Sequence, residues 1–464
     1  MTTQREVAAR VVAELKRHGH IAAFAGGCVR DEIMGREPKD FDIATSALPD
    51  EVEAIFARCI TVGKAFGVVK VRSEGHEVEV ATLRDDGQYS DGRRPDSVRF
   101  VTSLREDAAR RDFTVNAMFM DPTTGEIFDF FGGRADIAAG AIRAVGNPHD
   151  RIKEDRLRML RALRFASRYD FTIDPELLRA IAEDARELSA VTDQLVVENG
   201  ELKGKRVVSF ERIRDELKGI LTSAHPLTGL DLLMATGLMQ EILPEVVAMA
   251  GPDGEQSPRW HPEGNVWVHT RLVVQHLVGG SFELMLGGLL HDVGKPRTFQ
   301  RHADGSVSNH KHAEIGAEMA GDICRRLRMS NDQTHRVVEL VRLHMQMHGV
   351  CELRRSKLVA LLERPDISDL VALQHADATG TGRADRESGS RKQFLKSKLQ
   401  ELAAAGQKAL PLVTGDMLIA MGFKPGPAFK GMLDRALNAQ REGEFTTRQD
   451  GERWIRQRFA APAR

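Results

Sequence analysis

Asp40 and Asp42, in GREPKDFDIAT (residues 35–45), stand two apart in a stretch of strand-like composition. On a strand, residues i and i+2 share a face, so the two carboxylates present themselves side by side. Left alone they repel, and a divalent cation relieves the repulsion. Mg2+ accepts a few carboxylate oxygens and completes its octahedron with water and substrate phosphates. Two such ions ~4 Å apart can hold the attacking and leaving oxygens of an in-line phosphoryl displacement. Glu79, in HEVEVATLR, is a candidate third carboxylate from a neighbouring strand, and Glu77 shares its face by the same alternation, so the choice between them stays open. An Asp-x-Asp on a solvated edge strand would look the same, so the pair needs company to mean chemistry.

The company lies just upstream, in AFAGGCVRDEIMG. Gly26 and Gly27 follow a strand-like run and open a short helix, where backbone N–H groups can approach a phosphate. Arg30, about one turn in, can reach the same anion. A phosphate cradle followed closely by a cation-binding strand makes a triphosphate site.

A second constellation sits far downstream. NVWVHTRLVVQHL (265–277), LMLGGLLHDVGKP (284–296), HKHAEIGAEMA (310–320), VRLHMQMH (341–348) and LQHADATG (373–380) gather most of the histidines into one helical region. The adjacent His291-Asp292 pair ends an apolar helix, with His269 upstream and Asp377 downstream. Imidazole and carboxylate ligands on packed helices suit a transition metal or Mg2+ with positions open to phosphate.

The elements that must carry these groups divide the 464 residues into several domains. Through residue 145 the chain offers short strands, HIAAFAGG, DFDIAT, GVVKVRS, HEVEVATLR, DSVRFVT and GEIFDFFGG, with few crossover helices. That is an α+β pattern with a largely antiparallel or mixed sheet. From 146 to 250 helical spacing takes over, with ENGELKGKRVVS (198–209) read as an inserted loop. Polar, Gly- and Pro-rich segments at 250–260 and 380–393 bound a helical domain at 256–380, and a helical tail follows over 390–464.

A net charge of −1 gives no overall basic signature, so any nucleic-acid surface is a local patch. Four scattered cysteines without metal-type spacing point to a reducing compartment. The charged amphipathic N-terminus and the lack of a long apolar run predict a cytoplasmic protein without membrane contact.

GGCVRDEIMGREPKDFDIAT, RRDFTVNAM (110–118), DFFGGRADI and EDRLRMLRALRF (154–165) together resemble the ordered motifs of class II tRNA nucleotidyltransferases and bacterial poly(A) polymerases. The resemblance implies a polymerase-beta-type nucleotidyltransferase head followed by an all-α neck and body. It implies Asp40 and Asp42 as Mg2+ ligands and Gly27 and Arg30 as nucleotide contacts. Arg111 and Asp112 are placed near the ribose and phosphates, and Arg161 and Arg164 as further nucleotide contacts or members of a basic face for tRNA.

The last motif can also be read chemically. Asp155 only accepts hydrogen bonds and Arg158 only donates, and their i, i+3 spacing predicts neighbours on one helix face. Cytosine and adenine each pair an exocyclic amino donor with an unprotonated ring nitrogen, which satisfies both side chains. Guanine and uracil reverse the pattern and leave buried polar groups unpaired. The helical region resembles an HD-type metal phosphohydrolase domain, its H…HD…D pattern being His269, His291, Asp292 and Asp377. His312 and His344 match positions where such domains add ligands.

The expectation is an enzyme that adds C and A to the 3′ end of tRNA from CTP and ATP, using Mg2+ in the head. The HD domain would hold a second divalent metal of unspecified identity. Poly(A) polymerase is the nearest alternative, with CC-only or A-only addition beside it. An HD nucleotide phosphohydrolase with a sensory head, or a non-enzymatic RNA-binding protein, are alternatives of other kinds.

Overall fold

The computed structural model describes residues 2–63, 67–87, 97–198, 201–257, 261–347, 349–381, 393–398, 400–401 and 410–459. The chain divides into two compact units, one of Met1–Val247 with Arg326–Met329, the other of Ala248–Arg325 with Ser330–Arg464. Among the described residues no helix is long and apolar enough to cross a membrane.

The first unit opens with the helix Gln4–Arg17, started by a capping box between Thr3 and Glu6. Nine strands follow: β1 (Ala22–Ala25), β2 (Asp42–Thr45), β3 (Cys59–Gly63), β4 (Val68–Ser73), β5 (His76–Thr82), β6 (Arg84–Asp86), β7 (Val98–Phe100), β8 (Met118–Met120) and β9 (Ile127–Asp129). Seven of them form a mixed sheet in the order β3-β4-β5-β2-β1-β8-β9. Strands β2 and β5 run parallel; the sheet's other pairs are antiparallel.

Two-residue alternation sorts the sheet into two unlike faces. Phe24, Ile43, Val78 and Val80 pack with Val7, Val11 and Leu15 of the first helix in an apolar core. The opposite face carries small residues, Ala23, Ala25 and Ala44, beside Phe119. Bulk on one side and alanines on the other leave room for a cleft over the middle strands.

Helices then continue the unit: Pro148–Glu154 with Asn147 as N-cap, Arg158–Tyr169, Pro175–Asp184 and Phe210–Leu221. The segment read as an inserted loop is instead an antiparallel hairpin, Val191–Glu198 against Glu201–Arg206. Its sequence signal is Asn199-Gly200, with the apolar residues Leu195, Val196 and Val197 before it and Leu202 after it, a hairpin cue set in a helical neighbourhood. Most of DDGQYSDGRRP (85–95), read as a flexible loop, lies outside the described residues; its first residues belong to β6, which pairs with β7.

In the second unit the helix Val266–His276 is capped by Asn265, Phe282–Leu290 by Ser281, and Asn331–Leu343 by a Ser330–Gln333 capping box. Every residue of Phe282–Leu290 except Glu283 is buried. Gly288 makes this possible, since a Cβ there would stand 2.4 Å from Leu277 Cδ1. The close approach delivers His291 and Asp292, at the helix end, into the middle of the unit. The tail has a small core of its own, built from Val413, Leu418, Met432, Ala436 and Ile455.

Candidate active sites

A cleft of about 430 Å³ opens over the alanine face of the sheet. Asp42 and Glu79 line it from β2 and β5, where they are direct register partners on parallel strands. Ala44 and Ala81, two residues further along each strand, form its floor. Asp40, expected beside Asp42 on one strand face, instead precedes β2 and does not line the cleft, although its charge reaches Asp42. Glu77, the alternative to Glu79, is held by Arg72 at 2.7 Å and does not line the cleft.

The Asp42 carboxyl is reachable by solvent through the cleft mouth, but most of its surroundings are protein. That burial, with the Glu79 and Asp40 charges added and Arg111 opposing, pushes it up to about 6. A carboxylate cluster short of positive charge fits a cation. These head carboxylates are not among the groups whose ligand atoms all lie within 4.8 Å of one another. Mg2+ needs no tighter cage, because it keeps several waters and takes substrate phosphates.

Gly26 enters the cleft with φ 70°, a backbone conformation suited to glycine, and a Cβ there would stand 2.8 Å from Arg111 Nη1. Gly27 and Arg30 follow along the wall. Arg30 is buried; it donates to Asp31 at 2.7 and 2.9 Å and to Asn116 Oδ1 at 2.5 Å. Arg111 donates to Asp107 at 3.0 Å and to the Asn116 carbonyl at 3.1 Å. Burial alone would raise Asp107, but Arg111 and Arg110 offset it and hold the carboxyl below its usual range. Asp112 is likewise raised by burial but carried down to about 2 by Arg161, which grips one oxygen at 2.6 and 2.9 Å. Asn116 donates to the other oxygen at 3.1 Å.

The pairing expected between Asp155 and Arg158 on one helix face is not what the chain does. The helix Pro148–Glu154 ends at Asp155, which is its C-cap with φ −145°, and the next helix begins at Arg158. Both side chains line the cleft, each with a partner of its own. Asp155 accepts from Arg212 at 2.7 Å and from the Leu157 N–H at 3.1 Å, whereas Arg158 donates to Glu154 at 2.5 Å. Arg161 lines the cleft and Arg164 does not. At ~100° per residue, position 164 lies roughly 120° round the helix from 158, and its guanidinium donates to Glu216 at 2.5 Å.

In the second unit His269, His291, Asp292, His312, His344 and Asp377 converge. Among the described residues three groups have ligand atoms within 4.8 Å of one another: His269, His291 and Asp377; Asp292, His312 and His344; and His261, Glu263 and His269. Asp292 faces both: Oδ2 lies 3.2 Å from His291 Nε2, and Oδ1 lies 3.4 Å from His312 Nε2 and 3.7 Å from His344 Nε2. Burial works against a charge on His269, yet Asp377 and Glu263 beside it raise it to about 9. His291 Nε2 is buried and, though close to Asp292, makes no hydrogen bond of good geometry among the described residues. Buried carboxylates and imidazoles whose nitrogens and oxygens crowd one another fit a divalent metal.

Reading the sequence did not single out Asp107, Arg110, Asn116, Arg212, Glu263 or Lys295. Asp107 stands three and four residues before Arg110 and Arg111, a helical spacing that could have been noticed. Arg212 and Glu263 reach their partners through tertiary folding and had no local signal. Lys295 Nζ lies 2.7 Å from both Asp292 Oδ2 and Gln256 Oε1.

Three family models match the chain: the "Poly A polymerase head domain" over residues 22–143, the "Probable RNA and SrmB- binding site of polymerase A" over 206–249 and the "HD domain" over 266–382. A CCA-adding enzyme of Bacillus velezensis is 44% identical over 232 residues, 50% of this chain and 54% of the relative. One of Enterococcus faecalis is 52% identical over 176 residues, 38% and 43% of the two chains. The chain thus spans about half the length of the curated relatives it matches. A crystal structure of the Bacillus stearothermophilus CCA-adding enzyme in complex with CTP aligns with 99% of this chain and 98% of its own, at TM-score 0.70 and 27% identity. The Thermotoga maritima CCA-adding enzyme complexed with tRNA shares the fold at TM-score 0.55 and 17% identity, over 97% and 94%.

Proposed function

We propose, from the premise of a nucleotidyltransferase head joined to an HD domain, that the chain adds C and A to the 3′ end of tRNA. The donors are CTP and ATP, and pyrophosphate leaves. One observation carries the reading: the same cleft is lined by Asp42 and Glu79, register partners on β2 and β5, and by Arg111, Arg161, Asp155 and Arg158.

Asp42, Glu79 and Asp40 would hold Mg2+, which when bound activates the RNA 3′-hydroxyl and steadies the triphosphate. Gly26 and Gly27 let the nucleotide approach the backbone, and Arg30 and Arg111 supply positive charge beside it. The Asp112–Arg161 pair, with Asn116, fixes the wall where the ribose lies. Asp155 and Arg158 read the base edge from opposite sides of a turn. An ionised carboxylate has roughly four acceptor sites; Arg212 and Leu157 engage two, leaving capacity for an amino group of C or A.

The histidine centre supports phosphohydrolase activity on terminal or cyclic phosphate esters as a second activity of the same chain. Its carboxylates and imidazoles would hold a divalent metal that polarises the phosphate.

The test is incubation with tRNA lacking its CCA, Mg2+ and each labelled triphosphate. CTP then ATP addition that stops after the third nucleotide is the expected result. Open-ended A addition would instead identify a poly(A) polymerase, and phosphate release without incorporation a phosphohydrolase.

Acid should weaken the head's hold on metal. With Asp42 at about 6, protons displace the cation below that pH and leave it undisturbed above. Affinity for Mn2+ should be flat at higher pH and fall toward about tenfold per unit below about pH 6. The titration is made with Asp292→Ala so that only the head responds; affinity independent of pH across that range would remove Asp42 from the ligand set.

A further inference from the structure

Three of the four histidines around Asp292 and Asp377 are anchored by backbone. His291, His312 and His344 turn Nδ1 to the carbonyl three residues earlier, of Gly288, Asn309 and Val341, at 2.8, 2.8 and 2.6 Å. No side-chain substitution removes those contacts. His269 is held differently. Its Nδ1 lies 2.9 Å from Oε1 of Glu263, close but off the line of an ideal hydrogen bond. Its Nε2 faces Asp377 at 3.0 Å and Asp292 at 4.0 Å.

Glu263 sits in the loop before the helix Val266–His276, and its side chain is only 7% exposed. The same Oε1 accepts from His261 Nδ1 at 2.9 Å, while Oε2 is buried without a hydrogen-bond partner among the described residues. A buried carboxylate with one oxygen unsatisfied is a poor choice for stability alone. An imidazole that binds a cation through Nε2 must keep its proton on Nδ1, and a carboxylate facing Nδ1 fixes that tautomer and makes Nε2 more basic.

We propose that Glu263 is a positioning residue of the histidine centre: through Nδ1 it orients His269 and strengthens Nε2 as a donor to a divalent cation. Glu263 acts through the ring and does not touch the cation. The inference rests on the reading of this centre as a cation site, so the experiment separates the two.

Co2+ is titrated by calorimetry into the full chain carrying Asp40→Ala, Asp42→Ala and Glu79→Ala, which removes the three carboxylates assigned to the head cation, and the visible absorption of bound Co2+ is recorded. Asp292→Ala in that background should abolish binding; if binding persists, the cation centre fails and the role of Glu263 with it. Glu263→Ala should weaken binding by about tenfold to a hundredfold. Glu263→Gln keeps the size and an acceptor oxygen but loses the charge; it should weaken binding several-fold and shift the absorption band. Thermal melting identifies the folded variants. If Asp292→Ala abolishes binding while folded Glu263→Gln keeps the parental affinity and spectrum, the proposal is overturned.

Discussion

Asp42→Ala should lower nucleotide addition by on the order of a thousandfold or more and leave phosphate-ester hydrolysis by the histidine centre untouched. The carboxylate is register partner to Glu79 and is the one whose proton affinity is pushed up to about 6 by burial and its acidic neighbours. On the proposed function, removing it would take away a ligand of the Mg2+ that would steady charge on the transferred phosphate. Such stabilisation is worth several kcal/mol, and each ~1.4 kcal/mol is a factor of ten in rate. Single-turnover incorporation of labelled CMP measures the first effect, and hydrolysis of a 2′,3′-cyclic nucleotide by the same preparation measures the second. Loss of both activities in a folded variant would show that the chain does not hold two separable sites. Asp42→Asn, nearly the same size without the charge, should be almost as inactive.

Asp155→Ala should let UMP and GMP into the tRNA end. A wrong base leaves buried donors and acceptors unpaired against Asp155 and Arg158, at about 1 to 3 kcal/mol for each group. Two such groups correspond to on the order of a hundredfold discrimination or more. The structure adds a control, because Asp155 also accepts from Arg212 at 2.7 Å. Arg212→Met keeps the carboxylate and removes that partner; it should slow addition and spare base choice. Unchanged selectivity in Asp155→Ala, or equal loss in both variants, would take the template role away from Asp155.

How far these sites could be read from the sequence depended on the range of the forces that build them. The two-residue period of β2 is visible in FDIAT, where Phe41 and Ile43 turn to the core while Asp42 and Ala44 turn to the cleft. Alternation could not choose between Glu77 and Glu79, which share a face. The choice belongs to strand pairing, which sets Glu79 beside Asp42 and Glu77 beside Arg72. Helical spacing continues unbroken through EDRLR, although the helix ends at Asp155. A cap within a run of good helix formers has little local signature. The histidine centre was legible as types and order, but the anchor of His269 comes from a loop residue without periodicity. The hairpin at 191–206 does carry a local signal, Asn199-Gly200, which the helical spacing on either side outweighs.

The parallel pairing of β2 with β5 has a mechanical consequence. Adjacent strands in a sheet keep a spacing of ~4.8 Å, so the backbone ladder acts as a ruler between the two acidic side chains. Lengthening or shortening the connections between those strands leaves that ruler intact. A single residue inserted within either strand would slide the register by one and swing its acid to the oily side. The gauge that sets the spacing of the two carboxylates is thus main-chain, and the surrounding loops can change without recalibrating it.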